Sequence, residues 1–253
     1  MQMTVRILLH LFLVLFPYNL LCAQEANNVI LSGKIVFERR ENTAAWINSN
    51  FNSTKIDTSF KTQNFSCSFK GRESFYAPGD ENKGSQANLF NFGIAQRNTK
   101  YINLTSRTEK CIKQIIDDEY LINDTLRTIK WKITSDIREI AGFQCRKATA
   151  VILDSIYVVA FYSDKILFPG GPESFTGLPG MILGVAIPRL HTTWFATKVT
   201  PGEVKEEELK PPTRGKKITV KEYQELVKEI KFKFKEFYGL IKTPEHFIWQ
   251  TLL

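Results

Sequence analysis

Between residues 29 and 200 the apolar side chains recur mainly at every second position. That is the repeat of a strand with one packed face and one wet face. Ile35-Val36-Phe37 opens the series. Phe65, Cys67 and Phe69 then alternate with Ser66, Ser68 and Lys70, which places the three larger side chains on one face. The alternation returns at Ile102 and Leu104, and again at Trp131 and Ile133. Residues 148–153 and 156–162 flank Asp154-Ser155 and predict a hairpin; residues 181–187 and 192–199 predict another around Pro188-Arg189. Strands joined by short polar connections, with no helical period between them, imply an antiparallel meander. Residues 78–85 read as a surface loop.

The period changes after residue 200. Residues 203–217 are charged and interrupted by Pro211-Pro212, which predicts a linker or exposed loop. Thr219 and Glu222 then stand at capping-box spacing. Tyr223, Leu226, Val227, Ile230, Phe234 and Phe237 follow as one apolar stripe, predicting a helix over 219–238 that ends at Gly239 and covers one face of the sheet. Lys221, Lys228, Lys231 and Lys235 occupy the rest of its surface, either as a solvated face or as a contact for anionic headgroups.

Composition narrows the class. With 253 residues, 43% hydrophobic and 24% charged, the chain is neither disordered nor of low complexity. The net charge of +8 is spread along the sequence and gives no nucleic-acid footprint. The beginning has a separate logic. Arg6, an apolar run over 7–16 broken only by His10, Pro17, and then Leu20-Leu21-Cys22-Ala23 read as a secretory leader over 1–23, cut after Ala23. The run falls short of the ~20 residues that a bilayer requires. The expectation is Sec export to the periplasm or cell envelope, with residues 24–253 as a single β-rich domain.

Export leaves Cys67, Cys111 and Cys145, enough for one disulfide at most, with a thiol to spare. No pair has zinc-knuckle spacing, and the histidines beyond the leader are His191 and His246, so no metal site is expected. The sequence lacks a nucleophile elbow, a zinc helix, a phosphate-binding loop and a dinucleotide fingerprint, and no cofactor is expected. A Cys145/His191 pair would be the nucleophilic alternative, with Arg146 and Lys147 lowering the thiol pKa.

One segment stands apart. Residues 168–180 hold four glycines and three prolines, which constrain the path of the chain. Leu178-Pro179-Gly180 suits a type II turn. Such a loop either shapes a binding lip or turns a corner of the sheet.

Gly177-Leu178-Pro179-Gly180-Met181-Ile182 resembles the signature of the GLPGLI family, exported proteins of Bacteroidetes-type bacteria, with Met181 for the usual Leu. The surroundings agree in order: residues 140–149 around Gly142-Phe143-Gln144-Cys145, then Ala160-Phe161-Tyr162, Gly171-Pro172 with Phe175, and residues 217–223. After residue 162 the family's turn is commonly rich in Pro, whereas this chain has Ser163-Asp164-Lys165-Ile166. The resemblance implies a curved antiparallel sheet or half-barrel with a covering helix. It also implies an accessory protein of the periplasm or cell surface, with no catalytic residue to carry over.

The expected function is therefore a non-enzymatic binding or assembly factor. Its partner would be an outer-membrane transport or envelope protein, or a lipid or small apolar ligand. The candidate binding residues are Phe161, Tyr162, Gly171, Pro172, Phe175, Gly177, Leu178, Pro179 and Gly180. The alternatives are a thiol-dependent or hydrolytic enzyme around Cys145, and a metal-handling protein.

Overall fold

The computed structural model describes residues 29–42, 60–79, 97–115, 118–238 and 251. The expected leader, most of the loop expected at 78–85, Gly239 and His246 lie outside the described residues.

Among the described residues the alternation becomes twelve strands in one open sheet. β1 (Ser32–Asn42), β2 (Phe60–Lys70), β3 (Glu73–Pro78), β4 (Thr99–Asn103), β5 (Thr108–Ile115) and β6 (Asp118–Thr125) run outward from the middle as a meander. The chain then crosses to the opposite edge. From there β7 (Lys132–Ile140), β8 (Phe143–Ile152), β9 (Ile156–Ser163), β10 (Met181–Ile187) and β11 (Thr192–Pro201) return to the middle, where β11 pairs with β1. These pairings are antiparallel, as expected of a meander. The exception is β12 (Lys216–Ile218), which lies parallel to β6 at the outer edge. The fold is mainly β.

Local chemistry explains the elements. Phe65, Cys67 and Phe69 are buried together while Ser66 and Lys70 face solvent. Ile152 pairs with Ile156, so the β8–β9 turn is 153–155, one residue longer than its polar pair suggests. Leu153 and Asp154 accept positive φ there (47° and 63°). The β10–β11 connection is a 3-10 turn, Pro188–Leu190, with Pro at its start, where no amide is needed. Ile133 departs from the expected packed face. β7 is an edge strand whose register with β8 slips between Ile133 and Ile137, and Ile133 is left 45% exposed.

Residues 203–217 carry more structure than a linker. Val204 and Leu209 are buried, Glu206–Leu209 form a 3-10 turn, and Glu208 pairs with Lys34 at 2.5 Å. Lys216 then reaches Asp118 at 2.7 Å, holding its strand on β6. Two apolar side chains five positions apart in a charged stretch anchor the whole connection to the sheet.

Helix α1 (Val220–Tyr238) begins as its capping box predicts. The Glu222 amide donates to Thr219 Oγ1 (3.2 Å) and the Thr219 amide to Glu222 Oε2 (2.8 Å), which holds the Glu222 carboxyl below its usual range. Tyr223 and Val227 pack against Cys111, Ile115 and Ile122 of β5 and β6. The side chains of Phe234 and Phe237 lie outside the described residues.

Candidate functional site

Residues opposite one another in a β ladder share a face. The registers Ile35↔Cys67, Cys67↔Tyr76, Tyr76↔Lys100, Lys100↔Cys111 and Cys111↔Ile122 therefore define one row across six strands. All six side chains are buried. Arg39 stands four residues along β1 from Ile35, on the same face, between Gln63 of β2 and Trp194 of β11. This face thus buries Arg39 and Lys100 with aromatic neighbours, and Lys113 lies two residues beyond Cys111.

Each cation has a partner. Arg39 Nη2 meets Glu41 Oε2 at 3.0 Å, and Nη1 donates to Gln63 Oε1 at 3.3 Å. Its guanidinium lies 5.5 Å from the centre of the Trp194 ring. Lys100 Nζ donates to Glu109 Oε2 at 3.0 Å and to Ser174 Oγ. Lys113 Nζ donates to the Thr251 carbonyl at 2.9 Å, and burial pulls its pKa down.

The glycine-proline loop lies over this face. Glu173 and Ser174 bring it into the polar row, with Asn98 Nδ2 donating to Glu173 Oε2 at 3.2 Å. Phe175 packs edge-on to Trp194 at 6.4 Å, and the Trp131 indole donates to the Thr176 carbonyl at 2.8 Å. Glu173 takes φ 52°, a left-handed value costly for a non-glycine residue. The expected type II turn is instead a tighter three-residue turn, in which the Gly180 amide donates to the Leu178 carbonyl at 2.8 Å.

Of the nine residues expected to bind, Tyr162, Gly171, Pro172, Phe175, Leu178 and Gly180 are buried. Tyr162, Phe175 and Leu178 belong to one core cluster with Trp194. Phe161 is half-buried and packs near Phe195 and Arg138, while Gly177 and Pro179 are exposed. The loop fills the core more than it rims an opening. Sequence reasoning passed over the buried charges, although each continues an apolar alternation: Ile35-Phe37-Arg39, Lys100-Ile102 and Cys111-Lys113-Ile115.

Four buried polar atoms on this face have no hydrogen-bond partner: Arg39 Nε, Tyr76 Oη, Glu173 Oε1 and Trp194 Nε1. An unpartnered buried group costs about 1–3 kcal/mol. Tyr76 interacts with each of the other three residues. Burial drives its phenol pKa up, the Glu173 carboxylate adds to this, and Arg39 opposes it. The Trp194 indole N–H also favours the phenolate, although neither atom closes a hydrogen bond of ordinary geometry.

Among the described residues the thiols of Cys67, Cys111 and Cys145 are free and buried. Cys67 and Cys111 are three strands apart, roughly 14 Å, too far for a disulfide. Burial pushes Cys67 and Cys145 up to about 12 and raises Cys111, so the predicted lowering of Cys145 by Arg146 and Lys147 does not occur. Lys147 pairs instead with Asp136 at 2.7 Å. Cys145 is level with the start of β10, whereas His191 lies beyond its end, roughly 16 Å along the strand direction. They form no dyad. Among the described residues no group of three or more side chains could hold a metal ion.

The thiols make a direct prediction. Native protein at pH 8 should leave Cys67, Cys111 and Cys145 unalkylated by iodoacetamide, and denaturant should release all three, as read by mass spectrometry. Their folded pKa values lie above the ordinary thiol value of 9.0. The contribution of Cys67 and Cys145 to stability is therefore complete below about pH 9 and lost as pH climbs towards 12. Rapid native labelling of Cys145 would contradict its burial.

A small cavity of about 110 Å³ lies beside Cys145, lined by Ile137, Gln144, Arg146, Tyr162 and Asp164. It sits next to β7, the last strand at that edge of the sheet among the described residues. That edge strand is exposed along nearly its whole length, with Ile137 64% exposed. Val151 and Tyr157, opposed on β8 and β9, are 61% and 48% exposed.

No family model matches the chain. No curated protein matches it either. Among solved structures it is similar to PNGF-II, at 12% identity and a TM-score of 0.53, over 77% of this chain and 32% of that one. The chain thus spans about a third of that protein's length, and the likeness is one of fold alone. An uncharacterized conserved protein from Thermus thermophilus aligns over 80% of this chain and 98% of its own, at 6% identity and a TM-score of 0.38, too low to carry an argument.

Proposed function

We propose that this chain is an exported envelope accessory protein of the GLPGLI type, acting by binding or assembly and not by catalysis. Its partner is an outer-membrane transport or envelope protein, with a lipid or small apolar ligand as the second reading. In this view the sheet curves as a half-barrel, α1 covers the face at β5 and β6, and the β7 end meets the partner.

The observation that supports a protein partner is the asymmetry of the two sheet edges. One ends in β12, a three-residue strand held to β6 by an ion pair, whereas the other ends in the nine-residue β7. Short edges resist pairing, and long exposed ones invite it. The large apolar side chains Ile133, Ile137, Val151 and Tyr157 are exposed on β7, β8 and β9. The cavity beside Ile137 is of a size to take one side chain of a partner.

A photo-crosslinker placed at Ser135 in the producing cell tests this reading. It should give a discrete envelope adduct, and Ile137→Asp with Val151→Asp should lower its yield at least tenfold. The melting temperature should stay within about 3 °C, because both positions are solvent-facing. An adduct that survives the double substitution, or none at all, would remove the β7 edge from the proposal.

A further inference from the structure

The registers Arg138↔Cys145, Lys147↔Phe161, Phe161↔Gly184 and Gly184↔Phe195 place Arg138, Phe161 and Phe195 on one face of the sheet. Gly184 is the floor of this arrangement. A Cβ there would come 2.7 Å from Phe195 Cε1, so the ring lies directly on the strand. The Arg138 guanidinium stands 4.8 Å from the centre of the Phe195 ring and 5.7 Å from that of Phe161, and the residue is exposed. The carboxylates of its own strand are engaged elsewhere, Asp136 with Lys147 at 2.7 Å and Glu139 with Gln144 Nε2 at 3.5 Å. A guanidinium stacked on rings keeps its fork of N–H donors along its edge, preset for a carboxylate. Residues 130–147 hold five basic side chains and two acidic ones, so this hairpin attracts an acidic segment and repels a basic one. Ile137 lies on the other face, opposite Arg146 and beside the cavity. Residues 134–136 bulge out of the β7–β8 register, so regular pairing at this edge is open at 137–140.

We propose that residues 137–140 receive an extended acidic segment of an envelope protein, with one of its carboxylates on Arg138 and the adjoining apolar side chain in the cavity beside Ile137. This inference rests on the reading of β7 as the partner-binding edge and names the chemistry that the edge selects. Alternate residues of β7 turn their N–H and C=O away from β8 and can pair with an added strand. Successive side chains of that added strand point to opposite faces. The residue that meets Arg138 and the residue that meets Ile137 are therefore neighbours in the partner's sequence, one acidic and one apolar. The two phenyl rings hold the guanidinium in place before binding, so little side-chain freedom is lost when the carboxylate arrives. An anionic lipid headgroup could also meet Arg138. It would leave the strand's backbone groups and the cavity unused, and the geometry therefore favours a protein segment.

The test is photo-crosslinking from Ser135 in the producing cell with Arg138 varied, and with the partner's crosslinked peptide sequenced by mass spectrometry. Arg138→Glu should lower the adduct yield roughly tenfold, and Arg138→Lys, which keeps the charge but loses the fork, roughly threefold. Melting temperatures should stay within about 3 °C of the wild type, because the side chain is exposed. If Arg138→Glu does not fold, Arg138→Gln removes the charge instead, and the same direction of loss is expected. Exchanging the partner's Asp or Glu for Lys should restore the Arg138→Glu adduct to about half the wild-type yield or more. A merely structural role for Arg138 would not allow that rescue. An undiminished adduct in Arg138→Glu, a crosslinked peptide without a carboxylate, or a failed rescue would overturn this inference while leaving strand addition at β7 in place. Absence of any adduct in the wild type would remove both. Arg138-dependent binding of the purified protein to phosphatidylglycerol vesicles, with no protein adduct in the cell, would assign the guanidinium to a lipid headgroup and overturn the proposal.

Discussion

Gly180→Ala is expected to destabilise the protein by about 3–5 kcal/mol, while Pro179→Ala next to it costs under about 1 kcal/mol. The difference follows from position. Gly180 has φ 155°, and a Cβ there would fall on the Ser163 carbonyl, a backbone atom that cannot swing away. Pro179 is exposed at the tip of the turn. Gly171 adds to the case, since a Cβ at that position would come 2.7 Å from Ile182 Cβ. The glycines let the loop lie directly on β9 and β10 while Phe175 and Leu178 fill the core. For a protein of this size a loss of that magnitude lowers the melting temperature by roughly 10 °C, readable by circular dichroism. A Gly180→Ala protein that melts like the wild type would mean that the loop stands off the sheet. It would return the motif to the role of a binding rim.

Glu109→Ala should cost about 3 kcal/mol, because it leaves the Lys100 ammonium buried with only the Ser174 hydroxyl opposite it. The Lys100 side chain is 2% exposed and that of Glu109 14%, so water cannot replace the lost carboxylate at Nζ. Replacing both, as Lys100→Met with Glu109→Leu, should bring stability back to within about 1 kcal/mol of the wild type. The pair's Coulomb attraction is largely offset by the desolvation of two charges. Urea unfolding midpoints of the wild type, Lys100→Met, Glu109→Leu and the double variant close the cycle. Additive losses would show that the two side chains do not meet in solution. A small loss in Glu109→Ala would place Lys100 in contact with water.

Much of the architecture is legible along the chain. Phe65, Cys67 and Phe69 share a face because successive strand side chains alternate, whatever lies beside them. The start of α1 is equally local: Thr219 and Glu222 satisfy each other's amides within one turn. The β8–β9 and β10–β11 turns follow from residues a few positions apart. The candidate site is another matter. Lys100 and Tyr76 are paired across strands, and residues outside the described set lie between them in sequence. A charged residue at an alternating position is assigned to solvent until its covering segment is known. Here Glu173 and Ser174, some 70 residues beyond Lys100 in the chain, supply part of that cover.

The sequence by itself determined the period-two strands, the hairpin turns, the capped helix and a rigid glycine-proline segment. Each depends on interactions within one element or between neighbours in the chain. The tertiary structure alone decided that Arg39, Lys100 and Lys113 lie inside, that β12 runs parallel to β6, and that Cys145 and His191 never meet. It also decided that Ile137, on the edge strand β7, and Val151, on the neighbouring β8, are exposed. Burial of a charge depends on which distant segment brings its counter-charge and excludes water, and strand order depends on pairings between segments far apart in sequence. Neither is written in the spacing of residues along a single strand.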